Sequence, residues 1–146
     1  RRVIRALEIY RASGKKYSDF KNQKPKPRSF HSIEIGLQRP RELLYERINT
    51  RVDEMLKMGL IDEVTSLKGH QNHNALKTVG YKELFSYLDN RISLDHAIDL
   101  IKRNSRRYAK RQITWLRKNK NIKWLPHDSY DRSIDLIKKR TSTNFS

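Results

Sequence analysis

The chain has 146 residues, with 33 Lys and Arg against 16 Asp and Glu, a formal net charge of +17 and no Cys. That length suffices for one domain with its own core, and the seven Tyr and two Trp would be unusual for a solvated tail. Without Cys there is no disulfide framework and no thiolate metal site; nothing approaches a transmembrane span or a signal-peptide pattern, so a folded, basic, cytoplasmic domain is expected.

In chain order, the opening RRVIRALEIY lacks an initiator Met and reads as the middle of a helix, so a piece of a longer protein is expected. Val3, Leu7 and Tyr10 recur at helical spacing over Arg1 to Ser13, and Gly14 is placed as the stop. Lys15 to Arg28 is polar, carries Pro25 and Pro27, and is expected to be a loop. From Phe30 to Leu37, the residues His31, Ile33, Ile35 and Leu37 alternate with Phe30, Ser32, Glu34 and Gly36, which predicts a strand with one strongly apolar side. Pro40 suits the first turn of a helix over Arg41 to Met58, whose buried stripe should be Leu44, Ile48, Val52 and Met55. Gly59 interrupts it, and a short helix over Ile61 to Leu67 follows.

Lys68 to Lys77 is expected to be a mobile loop and Thr78 to Leu88 a helix. Asn90 and Arg91 make a turn. Ser93 caps a long helix reaching Arg117, with Asp95 favourably placed in its first turn. Asn121 to Leu125 should be a second strand, closed by Pro126. Ser129 to Lys138 is expected to be a last helix, and Arg140 to Ser146 frayed. Two strands make no independent sheet. The strands therefore form either a small hairpin within a helical domain or part of a sheet completed by other sequence, and the clipped start favours the second.

The long helix is the most informative element. Between Leu100 and His127 stand ten Lys or Arg and no Asp or Glu, a self-repelling surface that calls for an anionic partner. At 100° per residue Ile101, Ser105, Tyr108, Gln112, Trp115 and Leu116 gather on one side. Lys102, Arg103, Arg106, Arg107, Lys110, Arg111, Arg117 and Lys118 spread over the other, together with Ile113. One reading is a solvated face over a core stripe. The other is a phosphate-binding face, because Arg presents a rigid donor fork and Lys a mobile charge. Ser105 and Gln112 interrupt the apolar stripe too much for membrane binding.

Arg51 falls between Leu44 and Met55 on the apolar side of its helix, with Arg47 at the margin. An inward Arg needs an anion or several acceptors. A salt bridge, a snorkelling side chain and a buried phosphate ligand all satisfy that, and periodicity does not separate them. No glycine-rich phosphate loop occurs, since TVGYKE has one Gly. His31, His70, His73, His96 and His127 show no metal spacing, and no carboxylate pair is placed for acid–base work.

RRVIRALEIYRASGK, LYERINTRVDEMLKMGLIDEV and TVGYKELFSYLDNRISLDHAIDLIKRNSRRYAKRQITWLR together resemble the C-terminal half of a tRNA dimethylallyltransferase, also called tRNA isopentenyltransferase. The segments keep the family's order and nearly span the chain. The resemblance implies an α/β fold, here a mainly helical portion of a P-loop-kinase-like parallel-sheet domain with about two strands. The P-loop part and a helical insertion would lie outside residues 1–146. It implies transfer of a dimethylallyl group from dimethylallyl diphosphate to N6 of the adenosine beside the tRNA anticodon, with Mg²⁺, a general-base Asp and a Thr at the diphosphate supplied by the P-loop part. The second Arg of RINTR, Arg51, matches a diphosphate-contacting residue and is the expected catalytic group, with Arg47 near the substrate. Lys110, Arg111, Gln112 and Arg117, then Arg107, are expected to bind tRNA. Gln112 could instead order the helix, and Trp115 is read as core. Tyr81 and Lys82 either touch tRNA backbone or brace their helix. The expected partners are tRNA and dimethylallyl diphosphate, with no membrane; the sequence leaves the oligomeric state open, a monomer among the options. The alternative reading is a basic RNA-binding module without chemistry.

Overall fold

The structure, a computed structural model, describes residues 2–21, 30 and 32–142. The chain divides into two compact units, Arg1–Ser32 and Ile33–Ser146. In the first, α1 (Arg2–Ser13) ends at Gly14, whose left-handed φ of 68° lets its N–H return to the Tyr10 carbonyl at 2.8 Å. The expected loop after it contains a short helix, α2 (Tyr17–Lys21), because Asp19 turns back to accept the Lys16 N–H at 3.2 Å. The rest of that expected loop, residues 22–28, lies outside the described residues, as does His31.

The second unit runs β1 (Ile35–Gln38), α3 (Arg41–Lys57), α4 (Leu60–Ser66), two 3₁₀ turns (Lys68–His70 and Asn74–Leu76), α5 (Tyr81–Leu88), α6 (Leu94–Leu116), β2 (Lys123–Pro126) and α7 (Tyr130–Ser142). Between α4 and α5 the expected mobile loop is partly organised, in those two 3₁₀ turns. Helix α7 continues past the expected fraying point at Arg140, while residues 143–146 lie outside the described set. Ser93 caps α6 as expected, its Oγ accepting the His96 N–H at 3.2 Å.

Helices α3, α4, α5 and α6 pack on one another around Val52, Leu60, Val64, Leu84, Phe85, Ala97 and Ile101. Leu84 and Val64 are the largest fully buried side chains; complete burial of such an aliphatic group contributes roughly 1.5–3 kcal/mol. Gly59, at φ 97°, adopts the left-handed conformation that ends α3 and opens α4.

The strands pair in parallel, with Gly36 opposite Trp124 and Leu37 opposite Leu125. Parallel strands need a crossover, here α3 through α6, so the hairpin alternative is wrong. The ladder extends beyond the strand ends through Lys123 N–H to Glu34 O and His127 N–H to Gln38 O, both 2.9 Å. A Cβ at Gly36 would lie 2.8 Å from both Ile122 Cγ2 and Trp124 Cε3, so this position requires glycine for close approach. The strand is shorter than expected, and its apolar side is incomplete: Leu37 is 60% exposed, at the edge of a groove described below.

Candidate functional site

Helix α3 sets up the site by which way it turns. Val52, Met55 and Leu56 face the core, with Val52 buried in it. Arg51 is one step, 100°, round from Val52 and is exposed. The inward placement expected from the stripe is therefore corrected. Val52 and Met55 of the expected stripe meet the core and Leu56 joins them, while Leu44 lies outside that cluster, and the bundle leaves the costly guanidinium in water.

Arg51 lies on an outer face of α3 with Leu43, Glu46, Arg47, Thr50 and Glu54, and these residues with Arg39 line a groove of about 460 Å³. A second groove, about 410 Å³, opens where the carboxyl ends of β1 and β2 meet α3 and α6. Its polar lining is Gln38, Arg39, Arg47, Gln112, Arg117 and His127; Leu37, Leu44, Ile113, Leu116 and Trp124 supply apolar walls, and no carboxylate takes part. Arg39 and Arg47 belong to both grooves. Among the described residues, the side chains of Arg39, Arg47, Arg51 and Arg117 join none of the four ion pairs and none of the side-chain hydrogen bonds. The carboxyl edge of parallel strands is where open α/β sheets bind ligands.

Helix α6 carries two rows. One, through Ala97, Ile101 and Asn104, meets α5; Asn104 Nδ2 donates to Glu83 at 2.8 Å. The other, through Lys102, Arg106, Ala109, Ile113 and Leu116, turns toward α3 and the strand ends. Lys102 Nζ pairs with Asp53 at 2.6 Å. Arg106 donates to Asn49 Oδ1 at 2.6 Å and stands 5.8 Å from the Tyr45 ring. Lys102 and Arg106 thus fasten α6 to α3 and do not belong to the open basic face. Ile113, expected on the charged side, is half-buried in the second groove.

Because α5 has only eight residues, the first row runs out of cover beyond Asn104. Tyr108 is therefore 59% exposed, Trp115 is 70% exposed and Gln112 is also exposed. Reading Trp115 as core is incorrect. What remains open along α6 is a stripe in which Tyr108, Gln112 and Trp115 interleave with Arg107, Lys110 and Arg111. Arg111 lies 5.8 Å from the Tyr108 ring.

The structure thus unites Arg47, Gln112 and Arg117 in one groove and Arg47 with Arg51 in the other, while Arg107, Lys110 and Arg111 stand on the open stripe. Tyr81 and Lys82 line neither groove. Tyr81 braces α5 on α4: its phenol donates to Glu63, and its ring lies 6.5 Å from Phe85. That hydrogen bond, then burial and the Glu63 charge, hold the phenol above its ordinary pKa of 10.0. Lys82 is exposed beside a third groove of about 220 Å³ with Lys77, Asp89 and Arg91. Arg39 and His127 were missed from the sequence. Their signal is position, each immediately following a parallel strand. Among the described residues no group of three His, Cys, Asp or Glu is placed to hold a metal ion.

A family model described as IPP transferase matches residues 1–119. The chain belongs to the IPP transferase family. It is 50% identical over 143 residues to a tRNA dimethylallyltransferase of Christiangramia forsetii, which covers 97% of this chain and 47% of the relative. A Bacteroides fragilis tRNA dimethylallyltransferase 1 is 48% identical over 134 residues, covering 92% of this chain and 44% of the relative. The chain therefore spans about half the length of these curated relatives. The crystal structure of a full-length tRNA isopentenylpyrophosphate transferase from Bacillus halodurans superposes with TM-score 0.70 at 40% identity, over 97% of this chain and 44% of that one. A eukaryotic dimethylallyltransferase captured acting on tRNA superposes with TM-score 0.79 at 27% identity, over 97% and 41%. The mostly helical architecture with a two-stranded parallel sheet is thus that of the IPP transferases. No described helix is long and apolar enough to cross a membrane.

Proposed function

We propose that this chain is the substrate-facing, C-terminal part of a tRNA dimethylallyltransferase. The intact enzyme transfers a dimethylallyl group from dimethylallyl diphosphate to N6 of the adenosine beside the tRNA anticodon. The observation that carries this reading is the set of arginines Arg39, Arg47, Arg51 and Arg117, unpaired among the described residues, around two grooves that share members, in a chain of this family.

In the reaction the allylic C–O bond breaks, a C–N bond forms to the adenine, and the amine proton leaves to a base. Diphosphate departs with the bonding electrons, and its developing charge is the group to be met. Arg51 meets part of it, with Arg47 beside it in the same groove. The general base, the phosphate loop and Mg²⁺ belong to the nucleotide-binding half of the enzyme. The α6 stripe binds RNA: Arg107, Lys110 and Arg111 meet phosphates, while exposed Tyr108 and Trp115 offer rings to unstacked bases. Extrusion of the target adenosine suits chemistry on a base amine.

The test is prenyl transfer by the intact gene product, given tRNA and dimethylallyl diphosphate and read as the mass gain of one modified nucleoside after digestion. Arg51→Ala should lower the rate at saturating tRNA by about 10²–10³, the scale for losing one charge-stabilising donor. Transfer by the wild type that Arg51→Ala leaves untouched would remove Arg51 from the mechanism. Tight, salt-sensitive tRNA binding without any transfer would instead establish the noncatalytic RNA-binding reading, which the exposed basic-aromatic stripe alone would satisfy.

A further inference from the structure

We infer that the groove at the carboxyl ends of β1 and β2 is a second phosphate-binding subsite, with Arg39 as its central ligand. The inference rests on the reading above for its substrates but on separate observations for its existence. The groove holds about 410 Å³ and presents Arg39, Arg47 and Arg117 with no carboxylate in its lining. Among the described residues, none of the three guanidiniums is in an ion pair or a side-chain hydrogen bond. Three like charges around one cavity repel one another, and an anion between them relieves that cost. The guanidinium fork suits phosphoryl oxygens.

Arg39 is the most constrained of the three. It is half-buried, whereas Arg47 and Arg117 are exposed. Its backbone is held on one side by the β1 ladder, through His127 N–H to Gln38 O, and on the other by Pro40 at the start of α3. A half-buried stem on a fixed backbone has less freedom to lose on binding than an exposed one. Arg39 also lines the Arg51 groove, so it stands at the junction of the two cavities. The apolar walls, including Leu44, Ile113 and Trp124, suit a phosphate carried on an apolar or planar body. Both an allyl diphosphate and a nucleotide of the RNA answer to that chemistry.

The experiment measures Kd on the intact gene product for inorganic pyrophosphate and, separately, for an anticodon stem-loop RNA over a range of salt. Arg39→Ala and Arg39→Gln are compared with wild type, the second keeping the aliphatic stem. Loss of a charge-assisted contact should weaken binding about tenfold or more, and Arg39→Lys should recover part of it. Weakening of pyrophosphate binding alone assigns the subsite to the allyl donor. Weakening of RNA binding, with the salt slope reduced by about 0.7–0.9, assigns it to an RNA phosphate. Unchanged Kd for both probes overturns the inference. Should the variants unfold, phenylglyoxal footprinting of the wild type decides: Arg39 shielded by either probe supports the subsite, and Arg39 modified equally with and without both refutes it. Neither readout needs turnover. An enzyme that binds phosphate through Arg39 yet transfers no prenyl group would sink the proposed function and leave the subsite standing.

Discussion

Replacing Glu83 tests how α5 and α6 are held together. Its carboxylate is 6% exposed, and no ion pair among the described residues includes it. One oxygen accepts the Gly80 N–H at 2.8 Å, which is the reach-back half of a capping box; the other accepts Asn104 Nδ2 at 2.8 Å. Gly80 sits at φ 103°, a conformation that favours glycine, and the Glu83 bond adds to the Lys82 N–H to Thr78 O bond at 3.1 Å in closing the turn before α5. Glu83→Gln keeps the shape and one acceptor but aims an amide N–H₂ at a buried donor. Stranding one such donor costs about 1–3 kcal/mol. Glu83→Ala strands both and leaves a void, for about 2–5 kcal/mol, a large share of the roughly 5–15 kcal/mol available to a domain. Urea unfolding followed by circular dichroism gives both values, and a cycle with Asn104→Ala gives their coupling, expected at about 0.5–3 kcal/mol. A Glu83→Ala protein within about 0.5 kcal/mol of wild type would show that the bonds contribute no more than ordinary surface contacts, and the account of the α5–α6 junction would be wrong.

Three further outcomes are expected. Gly36→Ala drives a methyl into Ile122 and the Trp124 ring, 2.8 Å away; it should destabilise by about 1–3 kcal/mol and shift Trp124 fluorescence, and an unperturbed spectrum with unchanged stability would contradict the packing. Trp115→Ala removes a ring that is 70% exposed; it should weaken single-stranded RNA binding by about 1–3 kcal/mol while leaving thermal stability nearly unchanged, whereas a large fall in melting temperature would restore Trp115 to the core. Tyr81→Phe should delete a phenol titration lying above pH 10.0. Since the folded-state pKa is raised, the stabilisation from the Glu63 bond is complete below the ordinary phenol pKa and is lost as pH rises through the raised one. A difference spectrum between wild type and Tyr81→Phe that titrates at or below pH 10.0 would refute this.

The helices of the second unit were legible because their signals are local. Pro40 at the entry to α3, Gly59 at its exit and the Ser93 cap each act through the backbone within a turn, so the residues themselves suffice. The family was legible for the same reason: LYERINTR and YAKRQITWLR are contiguous segments. Arg51 illustrates the opposite case. Its direction did not follow from the stripe, because a hydrophobic arc of modest width admits more than one centre and only the packed neighbours choose.

What the sequence determined alone was the charge, the helical punctuation and where the arginines and lysines stand along the chain. Tertiary structure decided which of the α6 cations are fasteners, which aromatics face water, and that Arg39, Arg47 and Arg117 share a groove though they lie on three different segments. The physical reason lies in partner lengths. A short α5 covers only the first turns of a long α6, and parallel pairing sends the carboxyl ends of β1 and β2 to one edge. Neither fact is encoded within any single window of the chain.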